Sequence, residues 1–339
     1  MDEPRKSKPT IYDIAKASNA APSTVSLVLN GRWANHRIKP DTAERILQVA
    51  EKVGYAVNLK ARGLRLSRSG LAGMILPQYR NWFFAGLAEK FEAEARALGL
   101  CPIVVSTQRN PVNEAKVTEA LLAQQIEFLF IAGVRDPAPL NAMCRAANVC
   151  CINIDLPGPD APSVVSDNRA GARQLTEIII DKLRAEKRPL DDWFFFGGVD
   201  NDANTSDRVA GFTEALEAAG IAVTADMFDC NGYTPEAGAL ALSERHAKFG
   251  QLPAGLFANG ITALEGLLKF TANLPANTLD STIVGGFDWD PFAAHLRFDL
   301  TMVRQDVDAM ISAGFTLLDG YRANHNPLIL IPTSIGNTI

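Results

Sequence analysis

The sequence has no long apolar segment. None of its apolar runs approaches the roughly 18 residues that a membrane-spanning helix requires. Its first ten residues, MDEPRKSKPT, are polar and charged, and they do not resemble a secretory signal. We therefore expect a cytoplasmic protein that has no membrane partner.

Residues that bind metals or form disulfides are also few. The chain has five cysteines and four histidines among 339 residues. The cysteine number is odd and the spacing is not that of a zinc site, while the adjacent Cys150 and Cys151 are typical of a buried strand. This pattern favours free thiols in a reducing compartment. The histidines are scattered, so we predict neither a metal site nor a cofactor.

Several sequence motifs of enzymes are missing. The chain contains no G-x-G-x-x-G after a predicted strand, no P-loop and no G-x-S-x-G. These are the motifs of dinucleotide binding, of phosphate binding and of the serine nucleophile in hydrolases. We predict that the chain is not an enzyme.

Charge is distributed unevenly along the chain. Residues 1–68 carry 13 lysines and arginines against 6 acidic residues, a net charge of +7, whereas the remainder carries 20 against 32, a net charge of −12. A basic segment attached to an acidic body indicates a nucleic-acid-binding module joined to another domain. With 47% apolar and 21% charged residues, the chain has the composition of a folded protein of two or three domains.

The stretch from Thr10 to Asn30, TIYDIAKASNAAPSTVSLVLN, predicts two short helices joined by a tight turn. Apolar residues recur at helical spacing on both sides of the turn. Asn19 tolerates the left-handed backbone conformation of such a turn, and Pro22 suits the first position of the second helix. This arrangement is that of a helix-turn-helix, whose second helix enters the DNA major groove. Two packed helices of another bundle are the alternative.

A third helix is predicted from Pro40 to Val53, which completes a small headpiece at residues 1–55. Residues 56–68 contain few core residues and four cations, so their order is expected to depend on a partner. A plain basic linker is the alternative for this segment.

From Leu71 onward, short apolar strands alternate with amphipathic helices, which indicates an α/β fold with parallel sheets covered on both faces. The strands are predicted at 71–76, 102–106, 128–132, 149–154, 193–196, 255–258, 282–285 and 300–303. The helices are predicted at 83–98, 112–124, 169–184, 207–219, 235–246, 261–272 and 306–321. Two doubly wound sheets fit this length better than one, and their ligand is expected in the cleft between two lobes. We assign residues about 69–166 and 304–326 to the first lobe, and about 167–303 and 327–339 to the second.

The whole chain resembles the lactose/galactose-repressor family of bacterial transcription regulators. The resemblance rests on stretches that follow in the family's order: TIYDIAKASNAAPSTVSLVLNG, GYAVNLKARGLR, LPQYRNWFF, CINIDL, SVVSDNRAGA, SDRVAGFTEALEAAGI, GLFANGITALEG, GGFDWD and LTMVRQD. Within the family, the chain looks most like the sucrose-operon and fructose-type repressors. The resemblance implies a helix-turn-helix headpiece and a two-lobed core like that of the periplasmic binding proteins.

The resemblance also implies which residues contact DNA. The recognition helix would present Pro22, Ser23 and Leu27 to the bases, although Leu27 offers only apolar contact, for instance to a thymine methyl group. Residues 56–68 would form the hinge, in which Leu64 matches a leucine that inserts into the minor groove of a bent operator. The predicted DNA contacts are Thr10, Tyr12, Pro22, Ser23, Thr24, Ser26, Leu27, Asn30, Asn58, Lys60, Ala61 and Leu64.

In the cleft, Arg208, Asp288 and Asn259 match residues that bind the hydroxyl groups of a sugar in this family. An arginine fork and a carboxylate suit vicinal hydroxyls, and an amide both donates and accepts. Asp155 is a further candidate from the first lobe. Phe83 and Phe84 match aromatic positions that wall the site, with plain core packing as the alternative.

The function implied is that of a DNA-binding repressor of a carbohydrate-utilisation operon, a homodimer on double-stranded operator DNA. Its effector would be a small sugar or sugar phosphate, with a fructose-type sugar expected. Because the sequence shows no cluster of cations near Arg208, it slightly favours a neutral sugar. The alternative function is that of a two-lobed sugar-binding receptor without a role on DNA.

Overall fold

The computed structural model describes residues 9–55, 69–275, 277–320 and 326–336. The chain divides into two compact units, residues 1–69 and residues 70–339. In the described part, no helix has both the length and the apolar content needed to cross a membrane.

Residues 9–55 of the first unit form three helices, α1 (Ile11–Ala17), α2 (Pro22–Leu29) and α3 (Pro40–Lys52), with a 3-10 turn at Ala34–His36. Their apolar faces meet in a core around Ile14, Val25 and Ile46, each of which is fully buried. The two predicted helices and the third helix are therefore present, and they pack on one another as the apolar spacing indicated.

In its described residues, the second unit contains two six-stranded sheets. The first sheet comprises β1 (Leu71–Leu76), β2 (Cys101–Ser106), β3 (Phe128–Ala132), β4 (Cys150–Ile154), β5 (Ser163–Ser166) and β13 (Leu328–Ile331), in the order β13-β5-β4-β3-β1-β2. All of its strand pairs are parallel. Four of these strands overlap the predicted strands closely, whereas β5 and β13 were not predicted.

The second sheet comprises β6 (Trp193–Phe196), β8 (Phe228–Asp229), β10 (Gly255–Ala258), β11 (Ile283–Phe287), β12 (Leu300–Arg304) and β14 (Ser334–Gly336), in the order β14-β12-β11-β10-β6-β8. Its strands are parallel except for β14, which runs antiparallel to β12. A short antiparallel pair joins β7 (Gly198–Val199) to β9 (Asn231–Gly232).

Helices cover both faces of each sheet, in the described part of the chain, as a doubly wound fold requires. They are α4 (Trp82–Ala97), α5 (Pro111–Ala123), α6 (Ala138–Ala146), α7 (Asn168–Ala185), α8 (Ala203–Ala218), α9 (Pro235–Phe249), α10 (Ile261–Thr271) and α11 (Val307–Asp319). Alternate residues of one strand enter opposite cores: Met74 packs on one face of the first sheet and Ile75 on the other. The same alternation places Phe195 and Phe196 on opposite faces of the second sheet.

The lobe predicted for the segment that contains β13 was wrong. Residues 327–339 were expected in the second lobe, but β13 pairs with β5 in the first sheet, and only β14 lies in the second. The chain therefore crosses between the sheets at three places: after Ser166, after Arg304 and after Ile331. The crossings lie beside β5 and β13, at one edge of the first sheet, and beside β12 and β14, at one edge of the second.

Candidate functional site

The helix pair of the first unit has the local geometry that its sequence predicts. Asn19 adopts a left-handed conformation with φ 48° in the turn, and Pro22 occupies the first turn of α2. At the start of α1, Thr10 forms a capping box with Asp13, in which each residue's side chain accepts a hydrogen bond from the other's backbone N–H. Ala21, which has no side-chain acceptor, precedes α2 without a side-chain cap.

The described residues among the predicted DNA contacts lie on accessible parts of this unit. Tyr12, Pro22 and Ser23 are exposed, as is Thr10, whereas Thr24, Ser26, Leu27 and Asn30 are half-buried. Asn30 donates a hydrogen bond of 2.6 Å from Nδ2 to the Ser26 carbonyl, so its side chain also closes the end of α2. Asn58, Lys60, Ala61 and Leu64 lie outside the described residues, and their assignment to the hinge stays a prediction.

A cavity of about 1250 Å³ lies between the two lobes of the second unit. Its walls include residues that follow the carboxyl ends of strands in both sheets, such as Pro77, Asp155 and Asp288. Ligands of open parallel sheets bind at these ends. Of the predicted effector residues, five line the cavity, namely Phe83, Phe84, Asp155, Arg208 and Asp288.

Arg208 on α8 is 3% exposed and is held by the protein on several sides. Its Nε donates to Asn168 Oδ1 at 2.8 Å, and its Nη1 donates to the Asn259 carbonyl at 2.5 Å. Its guanidinium carbon lies 3.9 Å from the centre of the Phe287 ring, and its Nη2 lies 4.0 Å from Asp288 Oδ1. The guanidinium is thus fixed in place before any ligand enters.

Asp288 directly follows β11 and has a left-handed backbone with φ 63°, which is uncommon for a residue other than glycine. Gln305 donates to its Oδ1 at 2.6 Å, and Ser166 in turn donates to Gln305 Oε1 at 2.6 Å. Ser166 and Gln305 stand at two of the crossings between the lobes. The hydrogen bonds therefore connect a predicted effector residue to the segments about which the lobes would rotate.

Asp155, after β4, is a buried carboxyl group at the first lobe's side of the cavity. Asn204 of the second lobe donates to its Oδ1 at 2.9 Å, and Asn168 donates to Asn204 Oδ1 at 3.0 Å. Burial raises the pKa of Asp155 to about 6, and the positive charges of Arg208 and Arg109 oppose this rise. The charge of the Asp155 carboxyl group therefore changes at mildly acidic pH.

Asn259 does not line the cavity, although it was predicted to contact the effector. The residue is fully buried, and its Nδ2 donates to the Gly197 carbonyl at 3.2 Å and to Thr205 Oγ1 at 3.1 Å. Gly198 has φ 90°, and a Cβ atom there would lie 2.0 Å from Asn259 Nδ2. In this conformation, Asn259 supports Arg208 through its carbonyl group rather than facing the ligand space.

Phe83 and Phe84 pack in the core and also line the cavity, which were the two alternatives that the sequence left open. The two rings lie 5.1 Å apart in an edge-to-face arrangement and belong to the core on one face of the first sheet. Both residues are less than 10% exposed and also border the cavity. They thus form an apolar wall of the cavity as well as part of the core.

Several cavity residues were missed by the sequence analysis, namely Arg109, Asp202, Asn204, Tyr233 and Gln305. Tyr233 hydrogen bonds to Asp202 and, at 2.8 Å, to Thr205. Burial raises the pKa of Tyr233, and the charge of Asp202 adds to this rise. An Asn-Gly-Tyr-Thr-Pro turn gives no local sign that its tyrosine faces a ligand, so these residues could not be identified without the fold.

In the described segments, no group of three or more histidine, cysteine, aspartate or glutamate side chains is arranged to hold a metal ion. The five cysteines are unpaired, and burial raises the pKa of the Cys150 thiol to about 12. The cavity therefore presents hydrogen-bonding and apolar groups, which suit a polar organic ligand.

Comparison with known proteins identifies both units. Residues 10–58 match the model of the bacterial regulatory proteins, lacI family, and residues 72–297 match the periplasmic binding protein domain. The chain is 41% identical over 191 residues to the ribitol operon repressor of Klebsiella aerogenes, which covers 56% of this chain and 71% of that protein. It is 29% identical over 299 residues to the sucrose operon repressor of Klebsiella pneumoniae, covering 88% and 87% of the two chains.

The fold agrees with that of a solved family member. The crystal structure of the lac repressor dimer bound to operator and the anti-inducer ONPF superposes with a TM-score of 0.79, at 20% identity, over 97% of this chain and 98% of that chain. The match of residues 10–58 to the lacI model leaves the alternative of a receptor without DNA function unsupported. The chain belongs to the lacI family of bacterial regulatory proteins and is a DNA-binding transcriptional regulator, not an enzyme.

Proposed function

We propose that this regulator represses a carbohydrate-utilisation operon in the cytoplasm and binds its operator as a homodimer. Residues 1–55 would form the DNA-binding headpiece, residues 56–68 the hinge and residues 69–339 the effector-binding core. The exposed side of α2, with Pro22 and Ser23, would face the bases. Two headpieces on one near-palindromic site would contact more phosphates than a single headpiece.

The effector is a small polyhydroxylated compound bound in the cleft. The observation that carries this proposal is that Arg208, Asp288 and Asp155 all line one cavity. Each of the three side chains is also held by a hydrogen bond from or to a residue of the second lobe or of a crossing segment. A fixed guanidinium and two carboxyl groups suit vicinal hydroxyls. Fructose and its phosphate meet this description, and so does ribitol, whose operon a relative represses.

The charged residues that line the cavity bear on whether the effector is neutral or phosphorylated. The expectation of a neutral sugar rested on an apparent lack of cations near Arg208, but Arg80, Arg109 and Arg135 line the same cavity. Five acidic residues line it as well, namely Glu114, Asp136, Asp155, Asp202 and Asp288. Neutral and phosphorylated compounds therefore both belong in the test.

The experiment is a gel shift with the DNA upstream of the chain's own gene, in the absence and presence of ribitol, D-fructose and D-fructose 1-phosphate. We expect a specific complex whose amount changes with at least one compound. Thermal shift with the same compounds reports binding directly, since a ligand at 100 times its Kd stabilises the protein by about 2.7 kcal/mol. A chain that binds a sugar but no DNA would contradict the proposal.

A further inference from the structure

Two cysteine side chains meet inside the first lobe, on the face of the first sheet that α5 and α6 cover. Cys144 on α6 is fully buried, Cys151 on β4 is 3% exposed, and both belong to the same apolar core. The Cys144 thiol donates a hydrogen bond to Cys151 Sγ, and this bond raises the pKa of Cys144 and lowers the pKa of Cys151. The two sulfur atoms are therefore in direct contact.

The local chain path explains this contact. Cys144 lies in the last turn of α6, and the exposed residues 145–148 reverse the chain into β4. The turn is closed by the Val149 N–H, which donates to the Cys144 carbonyl at 2.9 Å. Successive residues of a strand face opposite sides of the sheet. Cys151 therefore faces α6, whereas its neighbour Cys150 packs against the core on the other side.

A third buried polar side chain, Asn141, joins the two thiols. It precedes Cys144 by one helical turn and is 1% exposed. The Cys151 thiol donates to Asn141 Oδ1 at 3.6 Å, and Asn141 Nδ2 donates to the Pro159 carbonyl at 2.8 Å. The thiols and the amide thus form a chain of hydrogen bonds that ends on the loop between β4 and β5.

This cluster lies directly behind the first lobe's wall of the cavity. The helix that carries Cys144 and Asn141 also carries Leu140, which lines the cavity. The loop that Asn141 holds begins at Asp155, which lines the cavity as well. A change at the two sulfur atoms therefore acts on two adjoining parts of the wall.

The other three cysteines are placed differently. Cys101 is exposed at the start of β2, Cys150 faces the opposite core, and Cys230 packs in the second lobe. Exposure, the sheet and the lobe division therefore separate them from the pair. They serve as internal controls for any reaction that is specific to the contact between two thiols.

We propose that Cys144 and Cys151 are a redox modification site, at which a hydroperoxide converts the two thiols into a disulfide behind the cavity wall. Disulfides in a reducing compartment are usually transient and redox-sensing. The inference goes beyond the proposed function, because the disulfide depends on neither the operator nor the effector.

The reaction balances with one hydroperoxide. The Cys151 thiolate, favoured by the Cys144 hydrogen bond and by the charge of Arg145, attacks a peroxide oxygen. An S–O bond forms, the O–O bond breaks, and the departing oxygen takes up a proton, which leaves Cys151 as a sulfenic acid. The Cys144 sulfur then attacks the Cys151 sulfur, so that an S–S bond forms and the oxygen leaves as water. The thiols lose two electrons and two protons in all, and the peroxide gains them.

The disulfide would remove both S–H donors from the cluster. Asn141 Oδ1 would lose the donor that it has in the reduced state, inside a residue that is almost fully buried. A buried acceptor without a partner is unfavourable. We therefore expect oxidation to destabilise the packing of Asn141 and of the loop that it holds.

The turn above the pair controls access to the sulfur atoms. Residues 145–148 are exposed, whereas both sulfur-bearing residues are buried beneath them. A peroxide therefore reaches the pair through local opening of this turn. Reaction at the pair should be slower than reaction at the exposed Cys101.

The test uses the full chain, first alkylated under native conditions to block exposed thiols and then treated with hydrogen peroxide. Peptide mapping by mass spectrometry without reduction identifies any link between cysteines. Hydrogen exchange of residues 139–162 compares the reduced and oxidised chains. Cys150→Ala is the matched control, because Cys150 is the neighbour of Cys151 and faces the other core. Cys144→Ala and Cys151→Ala each remove one partner.

We expect a peptide that links Cys144 to Cys151, with the loss of two hydrogen atoms, in the wild type and in Cys150→Ala. Dithiothreitol should restore both thiols by exchange. Amides of residues 139–162 should exchange about 5- to 150-fold faster in the oxidised chain, the range for one buried polar group without a partner. Cys144→Ala and Cys151→Ala should form no link and show no such increase.

Thiols of Cys144 and Cys151 that stay reduced, or that are oxidised separately without a link, would overturn the proposal. A link to another cysteine in place of this one, or a Cys144–Cys151 link with unchanged exchange in residues 139–162, would overturn it as well. If a variant fails to fold, the mapping of the wild type and of Cys150→Ala still decides. None of these measurements uses DNA or a sugar, so a failure of the proposed function in the gel shift is distinguishable from a failure here.

Discussion

Replacing Arg208 with methionine tests whether the buried guanidinium holds the effector site together. Methionine has a similar length but donates no hydrogen bond. The change would leave two buried acceptors without their donor, Asn168 Oδ1 and the carbonyl of Asn259, in residues that are at most 1% exposed. It would also remove the positive charge nearest to Asp288 among the described ion pairs.

The magnitude follows from these contacts. Each buried polar group left unpaired costs about 1–3 kcal/mol, so two cost roughly 2–6 kcal/mol of the free energy of unfolding. Removing a buried cation relieves part of its desolvation penalty, so we expect about 2–5 kcal/mol. Since domains are stable by about 5–15 kcal/mol, Arg208→Met should fold but unfold at a clearly lower urea concentration.

The assay is urea unfolding followed by tryptophan fluorescence, for which the fully buried Trp193 is a suitable reporter. Arg173→Met is the matched control, because Arg173 lies on the exposed side of α7 and its Nε is 3.9 Å from Glu177. A surface substitution of this kind should change stability by no more than about 0.5 kcal/mol. A loss below about 1 kcal/mol in Arg208→Met would refute the reasoning.

Three further predictions concern the DNA, the hinge and pH. Affinity for operator DNA should fall roughly 10³- to 10⁵-fold between 50 and 200 mM salt if about 6–10 phosphates are contacted; a flat response in anisotropy titrations would contradict specific binding by two headpieces. Leu64→Ala should reduce operator bending in circular-permutation gel shifts without changing effector affinity, and an unchanged bend would contradict the insertion of Leu64 into the minor groove. The pKa of Asp155 is raised to about 6 in the folded state, so the folded protein binds a proton more tightly at this group than the unfolded chain does. This contribution to the free energy of unfolding is present at low pH. It is lost as pH rises from about 4 to 6, by up to roughly 3 kcal/mol. The unfolding midpoint of the wild type relative to Asp155→Asn should therefore fall over this range, and a relative rise would contradict the assignment.

The sequence predicted the parts of the fold that carry strong local patterns. Continuous apolar runs such as Phe128–Ala132 and Trp193–Phe196 were assigned to strands at the bounds that the structure shows. Ser163–Ser166 is a buried strand that was not predicted, because the serines at its two ends make the segment look polar. In the folded state these serines hydrogen bond to Gln305 and to a neighbouring backbone group. The return of Leu328–Ile331 to the first sheet depends on pairing with a strand more than 150 residues earlier, which no local pattern encodes.

The cavity residues were predicted only in part, and from the family resemblance and not from a local pattern. Arg208, Asp288 and Asp155 were identified by resemblance, and the fold brings them to one cavity. Arg109 and Tyr233 stand in segments of ordinary composition, and only the fold brings the loop after β2 to the turn after β9. Asn259 was assigned as a contact because it matches an amide of the family's effector site, whereas its Nδ2 donates to the Gly197 carbonyl and to Thr205 Oγ1 and the residue does not line the cavity.

The most direct test of the central claim is the affinity for operator DNA of the wild type and of Asp288→Ala, measured by anisotropy with and without the effector that the thermal-shift comparison identifies. If a ligand in the cleft controls the headpiece, the effector should change the wild-type affinity by about 5- to 150-fold. Asp288→Ala should bind DNA within about twofold of the wild type without effector and show no response to it. A folded Asp288→Ala chain that fails to bind DNA, or one that still responds to the effector, would contradict the account.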